Sequence, residues 1–414
     1  MTTPSSVSSS AEPRTQPQPR SLPLAGLRVV ELSHMVMGPT CGMILGDLGA
    51  EVIKVEPPRG DGTRRLLGTG AGFFRTFNRN KKSVALDLDS EAGLAALHKL
   101  VDTADVFVEN FKPGRMASLG LDCASLRERN PKLIYVSHKG FLSGPYEHRL
   151  ALDEVVQMMA GLAYMTGPVG RPLRAGSSVN DIMGGMFGAI GVLAALHERH
   201  TSGCGKEVQS ALFENCVLLS AQHMQQYAAT GVPAAPMPER ISAWAVYDVF
   251  TLANEEQMFI AATGDGQWRA LCAILGRADL LADPRLATNN DRVLAREWLL
   301  KTLGETLRER DGASLVPLFE RDHIPFASIT KPEELFDDPH LNQTGGLARL
   351  TLDDGSETGM PLLPVSLDGA RLPPRRPIAK IGEHTAEVLR DLGYDDAQIA
   401  ALASGAAQAP REAA

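Results

Sequence analysis

Along the first half of the chain, short apolar runs alternate with stretches in which apolar residues recur every three or four positions. Residues 27–32 (LRVVEL), 51–56 (EVIKVE), 83–88 (SVALDL), 105–110 (DVFVEN) and 133–138 (LIYVSH) have the length and composition of strands. Residues 39–48 read as a helix between the first two. Residues 90–104 form an amphipathic helix with Leu94, Leu97, Leu100 and Val101 on one face. Strands alternating with helices predict βαβ units and a mostly parallel sheet. Ligands of such sheets bind at the carboxyl ends of the strands. Polar or glycine-bearing segments follow there, at residues 33–39, 56–65, 110–115 and 139–145.

The pattern then changes. Two long helices are predicted over 153–165 and 182–200, a strand over 206–212 and a helix over 213–229. Residues 231–240 are rich in Pro and Ala, have no period, and read as a linker into a smaller α+β domain. That domain opens with strands at 243–252 and 258–263. Helices at 267–275 and 295–309 and a strand at 325–330 follow. Past Pro332 come a short strand at 347–352, a Pro-rich stretch at 372–377 and a final helix at 384–392. The fold class expected is α/β: a Rossmann-like large domain with a mostly parallel sheet, plus a smaller α+β domain. The domain layout expected is a tail at 1–22, a large domain at 23–230, a small domain with its linker at 231–331, a C-terminal segment at 332–404 and a frayed tail at 405–414. No internal repeats are found.

Composition narrows the function. The 414 residues suggest about two to three domains at roughly 150 residues each. A chain of that length buries a large core without staples. The net charge of −8 argues against broad nucleic-acid binding and leaves room for a local basic pocket. The five cysteines form no CxxC pair, so neither a disulfide frame nor a zinc site is expected. Buried free thiols in a reducing cytoplasm are the expectation. Residues 1–22 are rich in Ser, Pro, Gln and Thr and lack the apolar region of a secretory signal. The longest apolar run, 183–196, is too short for a bilayer, which needs about 20 residues. No membrane partner is expected, and the location expected is cytoplasmic.

P-loop, HExxH and GxSxG motifs are absent. The run from Gly68 to Gly72 falls short of GxGxxG because Phe73 takes the last position. The most unusual stretch is 174–196, RAGSSVNDIMGGMFGAIGVLAAL, where Asp181 stands between a Gly/Ser loop and a helix packed with small residues. Asp181 is either a helix N-cap or a carboxylate nucleophile, and local sequence favours the cap. Asn110–Gly114 (NFKPG), after a strand, is either a plain turn or a loop offering amides and Lys112 to phosphate. The basic run 78–83 (NRNKKS) reads as solvated surface by default. In the loop 137–145, Gly140 permits close approach of a ligand, and His138 reads as a structural histidine.

Taken in order, these segments resemble the class III CoA transferases, the CaiB/BaiF-like family that includes formyl-CoA transferase. The matching pieces are LAGLRVVELSHMVMGP, LGDLGAEVIKVEPP, NRNKKSVALDL, DVFVENFKPG, LIYVSHKGF and SSVNDIMGGMFGAIGVLAAL. The resemblance runs from about Leu24 to the end of the final predicted helix and is thinner in the small domain. It implies an interlocked homodimer whose large domain binds CoA and takes back the C-terminal segment at 332–404. It also implies that Asp181 is the nucleophile. Leu86 and Leu88 would flank the adenine. Asn110, Phe111 and Lys112 would line the nucleotide and pantetheine path, and Lys139 and Gly140 would lie near the thioester end or the CoA chain. CoA and acyl-CoA enter as substrates, with a carboxylic acid as second substrate. Neither a metal nor a permanently bound cofactor is implied.

The chain departs from formyl-CoA transferase in three places. Val36 stands where that enzyme has Gln, no glycine-rich lid loop occurs near 237–244, and Ser118 stands where it has Arg, with Arg115 nearby. These departures point away from oxalate and formyl-CoA as substrates. On the same fold, an α-methylacyl-CoA racemase would need a His-Asp dipeptide where this chain has Leu152 and Asp153, and His148 is out of register. That removes one of the two bases of proton exchange. A silent CoA-binding protein and a nicotinamide dehydrogenase are the remaining rivals.

Overall fold

The computed structural model describes residues 22–240, 242–352 and 354–407. In chain order, its first elements are β1 (Arg28–Leu32), α1 (Met37–Asp47), β2 (Glu51–Glu56), α2 (Phe73–Phe77), β3 (Lys81–Ala85) and α3 (Glu91–Val101). Next are β4 (Val106–Glu109), α4 (Arg115–Ser118), α5 (Cys123–Arg129), β5 (Ile134–Lys139), α6 (Asp153–Met159), α7 (Leu162–Thr166), α8 (Val179–Ser202), β6 (Glu207–Ala211) and α9 (Leu212–Thr230). They are followed by β7 (Val246–Thr251), β8 (Gln257–Ala262), α10 (Asp265–Leu275), α11 (Ala278–Ala282), α12 (Asn289–Leu294), α13 (Arg296–Leu307), α14 (Gly312–Arg321) and β9 (Phe326–Ser328). The chain continues with α15 (Pro339–Gln343), β10 (Leu347–Thr351), β11 (Glu357–Pro361), β12 (Ser366–Leu367), β13 (Ala370–Arg371), α16 (Thr385–Asp391) and α17 (Asp396–Ala407).

Packing divides the chain into two units. One comprises the chain up to Val156, Ser177–Asn215 and everything from Ala348 onward; the other comprises Gln157–Gly176 and Cys216–Leu347. The division follows burial partners rather than the composition break at 231–240.

A six-stranded sheet in the order β3-β2-β1-β4-β5-β6 organises the first unit, and every neighbouring pair is parallel. This is the order of doubly wound α/β folds, which reverses between the first and fourth strands. Strand alternation feeds two cores. Val30, Ile53 and Phe107 face a cluster with Leu97 and Leu100 of α3 and Val388 and Leu389 of α16. Val29, Val52, Val108 and Val136 face Cys41 and Leu45 of α1 and Ala189, Val192 and Leu196 of α8. The C-terminal segment is tied to the edge strand: the His384 N–H donates to the Ser83 carbonyl at 2.9 Å, and the Ala85 N–H donates to Thr385 Oγ1 at 2.9 Å. The second unit has an antiparallel sheet, β7-β8-β9, whose core joins Val246, Met258 and Ile260 to Trp268, Leu271, Leu299, Leu303 and Phe319.

Several sequence expectations need correction. The helix expected over 153–165 is two helices, because Gly161 takes a left-handed φ of 84° between them. The third strand ends at Ala85 and not at residue 88. The expected tail overlaps α17, which runs to Ala407; residues 408–414 and 1–21 lie outside the described residues. The basic run is not solvated surface. Arg79, Lys81 and Lys82 are buried because each meets a carboxylate: Asp47 at 2.6 Å, Glu31 at 2.7 Å and Glu51 at 2.5 Å. All five cysteines are free, but Cys204 is exposed. Helix α8 spans 24 residues and, by length and composition alone, could cross a membrane. One face of it is instead packed on α1, β5 and β6.

Candidate active site

The carboxyl ends of β1 and β4 flank the point where strand order reverses. The loop leaving β1 is fixed from below by a buried ion network. Glu31 meets Lys54 at 3.3 Å and Lys81 at 2.7 Å, and Lys54 also meets Asp61 at 3.1 Å. Ser33 Oγ donates to Glu31 at 2.9 Å, and Lys54 Nζ donates to the Ser33 carbonyl at 2.6 Å. Burial pulls the Lys54 pKa down, but the carboxylates of Glu31, Asp61 and Glu56 outweigh it and hold the pKa above the ordinary value. Burial dominates at Lys81 and lowers its pKa to about 8, against the Glu31 carboxylate. Above this network the Met35 N–H donates to Thr63 Oγ1 at 3.0 Å, and Met35 takes φ 62°, a strained value for a non-glycine residue.

Asn110 closes the crevice. Its Oδ1 accepts from the His34 N–H at 3.0 Å and its Nδ2 donates to the His34 carbonyl at 2.8 Å, so one side chain joins the ends of the two strands. Phe111 meets the His34 ring edge-on at 5.1 Å. Burial lowers the His34 pKa; Asp61 opposes this, while Lys54 and Lys112 add to it. Lys112 is exposed beside this ring. Leu88 and Phe111 are half-buried on the core cluster that contains Leu86, which is itself buried and supports that surface from beneath. Glu109 is anchored by Ser137 Oγ and by the Phe111 N–H at 2.9 Å. Burial raises its pKa, with Ser137, the Phe111 amide and Lys139 pulling the other way.

Asp181 sits half-buried in the first turn of α8. It is not the N-cap: that position is Ser178, which makes no side-chain cap bond. Asp153 supplies the cap from another element, its Oδ2 accepting from the N–H groups of Asn180 at 2.8 Å and Asp181 at 3.1 Å. The segment before Asp153 also touches the end of β5, where a Cβ on Gly140 would lie 2.5 Å from the Ala151 Cβ. The Gly140 carbonyl accepts from the Phe213 N–H at 3.0 Å. Ile182 packs against Val36, Met43 and Phe77, which ties the Asp181 turn to the β1 loop. Lys139–Gly140 and the His34–Asn110–Phe111 crevice thus lie at the carboxyl edge of the sheet, and Ile182 ties the Asp181 turn to the loop that leaves β1. Sequence reasoning missed Asp153 as the cap and His34 as the partner of Asn110; the only signal was an Asp opening a helix.

The arrangement places a carboxylate at the positive end of a long helix. Among the described residues, no grouping of three or more His, Cys, Asp or Glu could hold a metal. Leu152, the residue before Asp153, is exposed, as is His148.

The chain is similar to several known proteins. The succinate–glutarate CoA-transferase of Agrobacterium fabrum is 35% identical over 386 residues, covering 90% of this chain and 96% of its own. The acetyl-CoA:oxalate CoA-transferase of Acetobacter aceti is 34% identical, covering 93% of this chain and 99% of its own. A CaiB/BaiF family protein from Brucella suis superposes with a TM-score of 0.79 at 33% identity, covering 90% of this chain and 100% of its own. Residues 24–385 match the profile of CoA-transferase family III. The chain belongs to the CoA-transferase family III and is a CoA-transferase.

Proposed function

We propose that the enzyme moves CoA from an acyl-CoA donor to a carboxylic acid through an aspartyl-CoA thioester on Asp181. The observation that carries this is the capping of α8 by Asp153, which leaves the cap role to another residue and holds Asp181 half-exposed in the first turn. The Asp181 carboxylate attacks the donor thioester carbonyl, forming a mixed anhydride and releasing CoA thiolate. The thiolate attacks the aspartyl carbonyl, giving the aspartyl thioester and the free donor acid. The acceptor carboxylate attacks that thioester, and the released thiolate then takes the acceptor acyl group, restoring Asp181. Positioning and exclusion of water make a weak nucleophile sufficient. Backbone amides near Lys139 and Gly140 are suited to the developing oxyanion. Leu88, Phe111, Asn110 and Lys112, supported by Leu86, receive the CoA nucleotide in the large domain.

Relatives named for succinate and glutarate support succinyl-CoA and a dicarboxylate as the pair. Exposed Met186, Ile190 and Leu193 form an apolar stripe along α8 that supports a homodimer, interlocked as the family resemblance implies. Free cysteines support a cytoplasmic location. The test is Asp181→Ala, with transfer followed by mass spectrometry over crossed panels of donors and acceptors. Transfer should vanish while CoA binding persists, and hydroxylamine should trap the wild-type thioester on the peptide holding Asp181. Near-normal transfer by the variant sinks the proposal.

A further inference from the structure

A group of buried polar atoms lies along one stripe of α8 with no hydrogen-bond partner among the described residues: Oδ1 and Nδ2 of Asn180, Nδ2 of Asn215 and both ring nitrogens of His138. These side chains belong to residues that are 0%, 6% and 3% exposed. Asn180, Gly184 and Gly188 are four apart and share a helix face. A Cβ on Gly184 would come within 2.9 Å of Asn215 Nδ2, and one on Gly188 within 2.4 Å of His138 Cε1. Ser210 is the register partner of His138 across β5 and β6, and its Oγ donates to the Gly184 carbonyl at 2.9 Å. Asn180, Asn215, Ser210 and His138 therefore form one polar seam between the helix that carries Asp181 and the sheet.

Leaving such an atom unpaired is unfavourable, and apolar side chains of similar size would avoid that cost. Native interiors satisfy such atoms with ordered water that makes about three hydrogen bonds. We propose that this seam is a binding site for ordered water, and that water bridging Asn180 to Asn215, one helical turn away, makes Asn180 a positioning residue for Asp181. Neutral imidazole offers one donor and one acceptor, and a primary amide offers both, so the seam suits a small ligand with donor and acceptor character. Asp153 holds the Asn180 backbone from outside the helix, and the water holds its side chain from within. The first turn is thereby clamped on both sides.

The positioning half rests on the Asp181 reading; the binding half does not. A crystal structure of the full chain at a resolution that shows solvent should place water about 2.7–3.2 Å from both the Asn180 and the Asn215 side-chain amides. A dry seam overturns the site. Asn180→Ala should lower kcat for CoA transfer about tenfold or more, with KM for acyl-CoA unchanged, and Asn180→Ser, which keeps a hydroxyl for the water, should recover most of it. Unchanged kcat in Asn180→Ala overturns the positioning role. Normal transfer by Asp181→Ala would overturn the nucleophile and the positioning role together, and the observed solvent would still decide the site.

Discussion

At the scale of single residues, the chemistry depends on groups that act through their neighbours. Asp153 holds the two amides that open α8. Asp153→Ala should cost about 1 kcal/mol, as lost caps do, and should lower kcat with CoA affinity preserved. Urea titration and transfer kinetics check both parts, and unchanged kcat would show that the cap does not position Asp181. His138 gives a pH signature. Burial, partly opposed by the Glu31 carboxylate, lowers its pKa from 6.5 to about 4. The unfolded chain therefore takes up this proton at higher pH than the folded chain does. Stability is intact above the ordinary value and falls as pH drops from there towards the folded value. Between pH 7 and pH 5 the loss should be about 2 kcal/mol, and His138→Gln should not show it in denaturant titrations at the two pH values. Asp181, Asn110 and Gly140 were legible as residues of interest because they punctuate strand ends or a helix start. The partners were not legible: His34 is 76 positions from Asn110, and Asp153 is 28 from Asp181.

At the scale of elements, β2 matches its expected bounds, and α8 and α9 lie within a few residues of theirs. These segments have a clean period and are bounded by polar residues. The failures have physical causes. Gly161 broke a helix whose apolar period ran straight through it. The charged strand β3 looked like surface because ion pairing across the sheet is invisible in a window of neighbours. Helix α8 shows why its glycines are small: a Cβ on Gly185 would lie 2.6 Å from the Met37 carbonyl oxygen and 2.5 Å from Thr40 Cβ. Gly185→Val should push α1 from α8, cost about 1–3 kcal/mol or more, and impair transfer because Met37 follows the β1 loop directly. Thermal melts and transfer rates test this together. A variant with wild-type melting and rate would show that the contact yields freely.

At the scale of the whole molecule, the α/β class and the parallel sheet followed from strand–helix alternation, whereas the course of the chain between packing units did not. Local patterns do not record that residues from Ala348 onward pack with the first strands. Val388, Leu389 and Leu392 complete the core beneath β1, β2 and β4. Ending the chain at Leu372 should therefore unfold the first unit, although every proposed CoA contact precedes that point. Circular dichroism and gel filtration would show the loss; a folded, CoA-binding truncation would contradict it. The tie between Ala85 and Thr385 also spans 300 positions. At about 5–20 residues per second, roughly 15–60 s of ribosomal elongation separates the two partners. Throughout that interval the nascent β3 edge lacks its covering helix, whereas the unit closed by Leu347 is synthesised before the last pieces of its neighbour. The timetable of synthesis thus exposes one sheet edge to chaperones or to another nascent chain, and productive yield should depend on what meets it there.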